Sequence, residues 1–203
     1  MAGARRFGGL RVGLLGGSFN PAHDGHRHIS LVALRRLQLD QIWWLVSPQN
    51  PLKSAADMAD LPTRLSAARR IARHPRIRVS DLETRLGTQY TCDTLAALRI
   101  RAPDTRFVWL MGADNLAQMP AWRHWRQIMA LMPIAVLDRP GYGLRALHGK
   151  VATGYANARI PPVRATILAD LPPPAWCFLS CRLHPASATA IRAGEESATL
   201  SLR

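Results

Sequence analysis

The chain has little lysine, little cysteine and no long apolar segment. Only two of its 27 basic residues are lysines, Lys53 and Lys150, and its odd number of cysteines, three, argues against a disulfide framework. No apolar run approaches the roughly 18 residues that a membrane span needs. The N-terminal residues lack the apolar stretch of a signal peptide. These absences favour a cytoplasmic protein with no membrane partner.

The formal net charge of +14 at pH 7 comes mainly from arginines. They are spread from Arg5 to Arg203 without one dense tract, whereas nucleic-acid-binding proteins usually concentrate basic residues on one face or arm. This distribution favours small phosphorylated substrates and no nucleic-acid partner. A basic RNA-binding protein is the alternative from another class, and it predicts tight, salt-sensitive RNA binding.

Apolar runs of strand length alternate with segments of helical periodicity. Several runs lack polar alternation, which is typical of strands covered on both faces. The alternation predicts an α/β fold, a Rossmann-like doubly wound parallel sheet with helices on both faces, in a single domain over residues 1–203. The predicted strands are Arg11–Gly16, Gln41–Ser47, Arg76–Ser80, Arg106–Gly112, Pro133–Asp138 and Ala175–Ser180. Three helices are predicted: one with the apolar stripe Ile29, Val32, Ala33 and Leu37, one with the stripe Leu65, Ala68, Ile71 and Ala72, and one over Thr91–Arg101.

The segment Gly16–His26 reads Gly-Gly-Ser-Phe-Asn-Pro-Ala-His-Asp-Gly-His and follows the first predicted strand. Glycines let the backbone approach a ligand closely, and a helix start offers unpaired N–H groups and a positive dipole end. His23 and His26 can face the same bound anion at their spacing of three residues. The segment therefore predicts a phosphate site. The alternatives are a surface or core role for the histidines, or a metal site that adds His28, which points to another side of the helix.

Two common nucleotide fingerprints are missing. The glycines of Gly13–Gly17 do not follow the G-x-G-x-x-G spacing, and Leu144 stands where a P-loop ending at Gly149–Lys150 needs its first glycine. A dehydrogenase and a P-loop NTPase are therefore disfavoured.

Cys177, Cys181 and His184 have spacings that also suit zinc. No fourth ligand is evident, and Cys177 lies in an apolar run where buried thiols are common. A buried thiol is the favoured interpretation, and a zinc-binding regulatory module is the alternative.

The segment Gly16–His26 resembles the signature of adenylyltransferases that carry a His-x-Gly-His motif. Further along, the resemblance narrows to the bacterial nicotinate-nucleotide adenylyltransferase family, over roughly residues 11–193. Each similar segment alone is moderately specific, but all of them occur in the same order as in the family, which strengthens the resemblance. The further similar segments are Pro48–Lys53, Leu86–Leu95, Met111–Leu116, Trp122 with Trp125, Arg139–Tyr142 and Ser187–Arg192.

The resemblance implies a nucleotidyltransferase that moves the adenylyl group of ATP, with Mg²⁺, to nicotinate mononucleotide. The products are nicotinic acid adenine dinucleotide, for NAD biosynthesis, and pyrophosphate. Sister enzymes that act on nicotinamide mononucleotide or pantetheine phosphate are the nearest alternatives.

The resemblance also implies which residues act, with no metal ligand from the protein. His23 and His26 are the implied catalytic residues. The implied ATP contacts are Gly16, Gly17, Ser18, Phe19, His23, His26, Gly112, Asp114, Ser187, Thr189 and Arg192. The implied contacts of nicotinate mononucleotide are Ser18, Lys53, Thr88, Tyr90, Thr91, Trp122 and Arg123, and of Trp122 and Trp125 we expect only Trp122 to touch ligand.

The chain departs from the family pattern at three places. Leu52 stands where many relatives have histidine, and Ala186 replaces an isoleucine that often begins the last motif. The tail from about residue 194 shows little apolar periodicity, so we expect it to be frayed or to lack the relatives' closing helix. This departure bears on the implied partner, a second copy in a homodimer, and not on the site.

Overall fold

The computed structural model describes residues 9–48, 58–139, 141–181, 186 and 191. Their strands form one sheet of six parallel strands in the order β3-β2-β1-β4-β5-β6. Every predicted strand is present, with ends that differ by at most one residue, so the predicted fold class is confirmed. The strands are β1 (Arg11–Gly17), β2 (Gln41–Val46), β3 (Ile77–Ser80), β4 (Arg106–Gly112), β5 (Ile134–Leu137) and β6 (Trp176–Leu179).

Helices connect the strands and cover both faces of the sheet. All three predicted helices are present, and the Pro- and Gly-rich stretch 141–174 adds short ones. The α-helices are α1 (Asp24–Arg36), α2 (Leu61–Ala72), α3 (Leu82–Leu86), α4 (Thr91–Arg101), α5 (Ala113–Gln118), α6 (Trp125–Leu131), α7 (Gly143–Leu147) and α8 (Lys150–Gly154), and the 3₁₀ segments are Met119–Ala121, Ala156–Ala158 and Pro162–Asp170. None of the helices in these described ranges combines the length and apolarity needed to cross a bilayer.

Two hydrophobic cores lie on opposite faces of the sheet, because successive side chains of a strand point to opposite sides. On β4, Val108 and Leu110 join the core shared with α1 and α2, and Phe107, Trp109 and Met111 join the core shared with α4 and α6. The strands β4, β5 and β6 are buried almost throughout. This burial explains their continuous apolar runs.

The strand order reverses direction at β1, which lies between β2 and β4. In open parallel sheets, ligands bind beyond the carboxyl ends of the strands at such a switch point. The turn that leads to α1 and the start of α5 both lie at this edge, since they follow β1 and β4. At the amino-terminal edge, the Asp170 carboxylate instead accepts hydrogen bonds from Arg11 at 2.6 Å and Arg106 at 2.9 Å.

Candidate active site

The turn between β1 and α1 packs tightly against Trp109 of β4. A Cβ on Gly16 would overlap the Trp109 ring at Cη2, whereas a Cβ on Gly17 would meet Phe19 at an ordinary 3.5 Å. The missing side chain of Gly16 is therefore explained by the packing of Trp109. Gly17 has no such steric constraint, and its predicted contact with a ligand stays a prediction.

Phe19 anchors this turn in the core. Its side chain is only 2% exposed, and its ring stacks on Trp44 with centroids 5.0 Å apart and lies 4.7 Å from the His26 ring. Its backbone adopts a positive φ of 48°, which a non-glycine residue rarely accepts. A contact between Phe19 and ATP would therefore use the backbone, because the ring is occupied by core packing.

Two backbone donors of the turn have no acceptor within the part of the chain that the structure describes. They are the N–H groups of Ser18 and Phe19. Successive N–H groups next to a residue in the left-handed region are a common anion-binding arrangement. The turn thus combines a positive φ at Phe19 with donors suited to phosphate oxygens.

His23 and His26 lie together at the start of α1. His23 is the N-cap residue and is 5% exposed, and the two ring centroids are 3.9 Å apart. The Nδ1 atom of His26 accepts the backbone N–H of His23 at 3.2 Å. In the neutral ring of His26 the proton therefore lies on Nε2, which is then a hydrogen-bond donor. The predicted pairing of the two histidines is reproduced in the structure.

Gly25 makes this arrangement possible. A Cβ at that position would stand 2.8 Å from Nδ1 of His23 and 3.1 Å from the carbonyl oxygen of Ala186. The carbonyl oxygen of Ala186 thus lies beside the start of α1. Ala186 immediately precedes the predicted phosphate residue Ser187 in the sequence.

The end of β4 carries an ion pair. The Asp114 carboxylate accepts a hydrogen bond from Nη1 of Arg139 at 2.8 Å through Oδ2. Its Oδ1 is buried and has no hydrogen-bond partner in the described ranges. Gly112 lies below the pair, since a Cβ there would overlap Oδ1 of Asp114 and approach Cδ of Arg139 to 2.6 Å. Asp114 therefore has one oxygen held by Arg139 and one buried oxygen without a hydrogen-bond partner in the described ranges. Gly112, not Asp114, is the N-cap residue of α5.

A second cluster follows β3 and leads into α4. Its hydroxyl groups bond to each other, Thr88 Oγ1 to Thr94 Oγ1 at 2.8 Å, and the N–H of Thr88 donates to the Glu83 carbonyl at 3.0 Å. Burial raises the pKa of Glu83 to about 6, and hydrogen bonds from Ser47 and Thr94 offset part of this effect. The predicted residue Thr88 is thus held by the Glu83 backbone carbonyl and the Thr94 hydroxyl, and Thr94 in turn bonds the buried Glu83 carboxyl at 3.5 Å.

Tyr90, Thr91 and Arg123 come together beside this cluster. Tyr90 is the N-cap residue of α4, Thr91 begins the helix, and the Arg123 guanidinium carbon lies 4.6 Å from the centroid of the Tyr90 ring. A cation near an aromatic ring at an exposed edge suits a flat, negatively charged ligand. Four of the residues predicted for nicotinate mononucleotide therefore lie on two adjoining segments.

The two tryptophans of the predicted motif have different surroundings. Trp125 packs edge-to-face on Tyr155, with centroids 6.1 Å apart, and Arg126 covers its ring at 4.7 Å. Trp122 is half-buried against the core on the α4 face. The preference for Trp122 as the ligand-contacting tryptophan stays a prediction.

Several candidates lie outside the described residues: Lys53, Ser187, Thr189, Arg192 and His184. Cys177, a ligand only in the alternative zinc interpretation, is fully buried, and burial raises its pKa to about 12, which opposes the thiolate that zinc requires. In the ranges that the structure describes, no group of three or more His, Cys, Asp or Glu side chains is arranged to hold a metal ion.

Sequence reasoning missed the residues that support the site from behind. Two of them contact the turn after β1: Trp109 packs under Gly16, and Arg64 bonds the Ser18 carbonyl. The other two contact residues beside it: Glu83 accepts from Ser47 and Thr94, and Arg139 pairs with Asp114. Only Arg139 lies in a segment with a visible motif. The others look like ordinary members of a strand or helix.

Comparison with known proteins places this site in a family. Residues 14–194 match the cytidylyltransferase-like family model. A protein of Cereibacter sphaeroides named "Probable nicotinate-nucleotide adenylyltransferase" is 59% identical over 182 residues, which are 90% of this chain and 96% of that protein. The chain belongs to the nicotinate-nucleotide adenylyltransferase family. A Parvibaculum lavamentivorans protein of the same name is 56% identical over 184 residues, 91% of this chain and 92% of the relative.

Solved structures support the fold. The Plasmodium falciparum nicotinic acid mononucleotide adenylyltransferase, in its complex with NaAD, matches with a TM-score of 0.68 at 15% identity, over 91% of this chain and 83% of that one. The parallel sheet is thus that of nucleotidyltransferases. Membership of the family makes the chain an enzyme of adenylyl transfer in NAD biosynthesis, as the sequence motifs indicate.

Proposed function

We propose that the chain joins nicotinate mononucleotide to the AMP part of ATP at the turn between β1 and α1. A phosphate oxygen of the mononucleotide attacks the α-phosphorus of ATP, and the bond from that phosphorus to the bridging oxygen breaks. Pyrophosphate leaves with the electron pair, and no covalent enzyme intermediate is needed. The enzyme therefore acts by positioning two anions and stabilising the charge that develops between them.

The histidine pair carries this proposal. Because His26 Nδ1 accepts the His23 N–H, the proton of the neutral ring lies on Nε2, which is the proposed donor to a phosphate oxygen. The start of α1 adds backbone donors and the positive end of the helix dipole. His23 and His26 are accordingly the proposed catalytic residues, which stabilise the α- and β-phosphates.

The ligand sites extend from this pair. ATP is proposed to lie along the turn and the end of β4, where the Asp114 carboxylate accepts from the ribose hydroxyls. The mononucleotide is proposed to lie beside Tyr90 and Arg123. The proposed ATP contacts are Gly16, Gly17, Ser18, Phe19, His23, His26, Gly112, Asp114, Ser187, Thr189 and Arg192, and the proposed mononucleotide contacts are Ser18, Lys53, Thr88, Tyr90, Thr91, Trp122 and Arg123.

Mg²⁺ is proposed to enter with ATP. The described ranges hold no cluster of three protein ligands, and one oxygen of Asp114 is engaged by Arg139. This donor set fits a cation held mainly by the ATP phosphates and water, which is the usual mode for Mg²⁺. When bound, the ion would neutralise phosphate charge, and the histidines and backbone N–H groups would orient the oxygens that it leaves open.

The remaining parts of the proposal concern partners and location. Small molecules are the proposed partners, with no nucleic acid and no membrane, and the protein is proposed to work in the cytoplasm, as a homodimer. The exposed Arg123 on Tyr90 favours an acid over an amide on the pyridine ring, because a guanidinium pairs with a carboxylate.

The acceptor preference tests this proposal. Pyrophosphate release from ATP is measured with nicotinate mononucleotide, nicotinamide mononucleotide and pantetheine phosphate under the same conditions. We expect the fastest release with nicotinate mononucleotide. Preference for either of the other two acceptors would select a sister activity, and no release with any of them, together with salt-sensitive RNA binding, would favour the RNA-binding alternative.

A further inference from the structure

Arg64 is a charged residue on the buried side of α2. Its side chain is 2% exposed, although Arg69 and Arg70 on the same helix are exposed. It lies beside Leu65 and Ala68, on the face of the helix that packs against the sheet. Arginine is rarely buried so completely unless its donors are satisfied.

Its guanidinium satisfies that condition through backbone carbonyls. Nη1 donates to the carbonyl oxygens of Ser18 at 2.8 Å and Ser47 at 2.7 Å, and Nη2 donates to that of Pro48 at 2.9 Å. Nε donates to the carbonyl oxygen of Ala59 at 2.8 Å. One side chain therefore fastens the turn after β1 to the end of β2 and to the start of α2.

No carboxylate within the described ranges forms an ion pair with Arg64. Burial lowers its pKa, and the charge of nearby Asp60 only partly opposes this effect. Its positive charge is thus compensated by carbonyl dipoles and stays beside the turn, where it also favours a negatively charged ligand.

The bond to Ser18 has a directional consequence. In a trans peptide the C=O and the following N–H point to opposite sides. Because Arg64 holds the Ser18 carbonyl, the Phe19 N–H must point away from the guanidinium, and it donates to no other described residue. Arg64 thereby sets the direction of one of the two available donors of the turn.

We propose that Arg64 is a positioning residue of the nucleotide site, which aims the Phe19 N–H at a phosphate of ATP through its bond to the Ser18 carbonyl. This inference rests on the proposed function. Lysine cannot replace arginine here, because its compact ammonium has three donors and lacks the planar fork that reaches four carbonyls in three segments.

A purely structural role is the competing explanation, and a charge-preserving variant separates the two. Arg64→Lys is compared with Arg69→Lys, the same change at an exposed position of α2. The dissociation constant for ATP, KM and kcat are measured on folded protein, with the folded fraction taken from near-ultraviolet circular dichroism. We expect Arg64→Lys to weaken ATP binding and raise the KM for ATP about tenfold or more, and Arg69→Lys to change neither by more than twofold.

A structural role alone would lower the folded fraction and leave ATP binding by the folded molecules within twofold of wild type, which would overturn the proposal. If Arg64→Lys does not fold, the proposal is tested on the wild-type protein by nuclear magnetic resonance. The amide signal of Phe19 in a ¹⁵N spectrum is expected to shift when ATP binds, and an unmoved signal at saturating ATP would overturn the proposal as well. Wild-type protein that binds ATP but releases no pyrophosphate would refute the proposed function instead.

Discussion

The backbone N–H of His23 donates to Nδ1 of His26 at 3.2 Å, and the two rings lie 3.9 Å apart at the start of α1. This contact places the proton of the neutral His26 ring on Nε2, which is the proposed donor to a phosphate oxygen. His26→Ala should therefore lower kcat by about 10²–10³, the usual cost of losing one donor to a developing negative charge. His23→Ala should have a similar effect.

Steady-state pyrophosphate release measures this change, and unfolding by denaturant confirms that the variants are folded. His148→Ala removes an exposed histidine elsewhere in the chain and serves as the control. Near-normal turnover in both His23→Ala and His26→Ala would remove the pair from the mechanism.

Gly16 and Gly17 should respond differently to the same substitution. A Cβ on Gly16 would overlap the buried Trp109 ring, so Gly16→Ala should lower the free energy of unfolding by about 1–3 kcal/mol, as overpacking usually does. Gly17→Ala should leave stability within about 0.5 kcal/mol, since its nearest contact would be an ordinary one. Denaturant titration of both variants checks the contrast.

The smaller ring of Trp109→Phe should partly restore the stability of Gly16→Ala. Trp109 Nε1 has no hydrogen-bond partner in the described ranges, so the change to phenylalanine loses no such bond there. A double variant no more stable than additivity predicts would show that the Trp109 contact is not the reason for glycine at position 16.

Glu83 should make stability depend on pH between about 4.5 and 6. Because the pKa of this buried carboxyl is raised to about 6, the folded state binds its proton more tightly than the unfolded state does. Its contribution to stability therefore falls as pH rises through this range. One pKa unit corresponds to about 1.4 kcal/mol, so the loss is about 2 kcal/mol.

Glu83→Gln removes this titration while keeping an oxygen that can accept from Thr94. Between pH 4 and pH 7.5, the free energy of unfolding of the wild type should fall by about 2 kcal/mol relative to that of the variant. Parallel pH profiles of the two proteins would show that Glu83 titrates in its ordinary range.

Asp114 should matter for ATP beyond its ion pair. Its carboxylate pairs with Arg139 and is proposed to accept from ribose as well, so Asp114→Asn should raise the KM for ATP roughly tenfold, or about 1.4 kcal/mol. Asp170→Asn disrupts a partly exposed arginine pair at the other edge of the sheet and should leave this KM unchanged. Equal effects of the two substitutions on KM would argue against a ribose contact.

Local patterns predicted the sheet well because the strands β4, β5 and β6 are buried on both faces. The apolar run at 106–112 shows no polar alternation, so its ends are easy to locate in the sequence. The apolar residues of α1 and α2 recur at regular helical spacing, which made these helices equally easy to predict. The histidine pair was also visible, since a spacing of three residues is a local property.

Contacts between distant positions could not be seen in the same way. Arg64 looks like one more arginine of an arginine-rich helix, and only the fold shows that it reaches the Ser18 carbonyl, 46 residues away. The packing of Gly16 against Trp109 on the neighbouring strand is equally invisible in the local pattern, and the predicted ATP contact at Gly16 stays a prediction. The partner of Asp114 is likewise 25 residues away. No local spacing pattern in the sequence marks these supporting residues.

The fate of the α-phosphorus tests the central claim most directly. ATP labelled at the α-phosphorus is incubated with the enzyme and nicotinate mononucleotide, and the products are separated. We predict that the label appears in nicotinic acid adenine dinucleotide, that label placed on the β- or γ-phosphorus appears in pyrophosphate, and that His26→Ala suppresses both. Retention of the α-label in ATP by the wild type, or its transfer to nicotinamide mononucleotide in preference to the acid, would contradict the account.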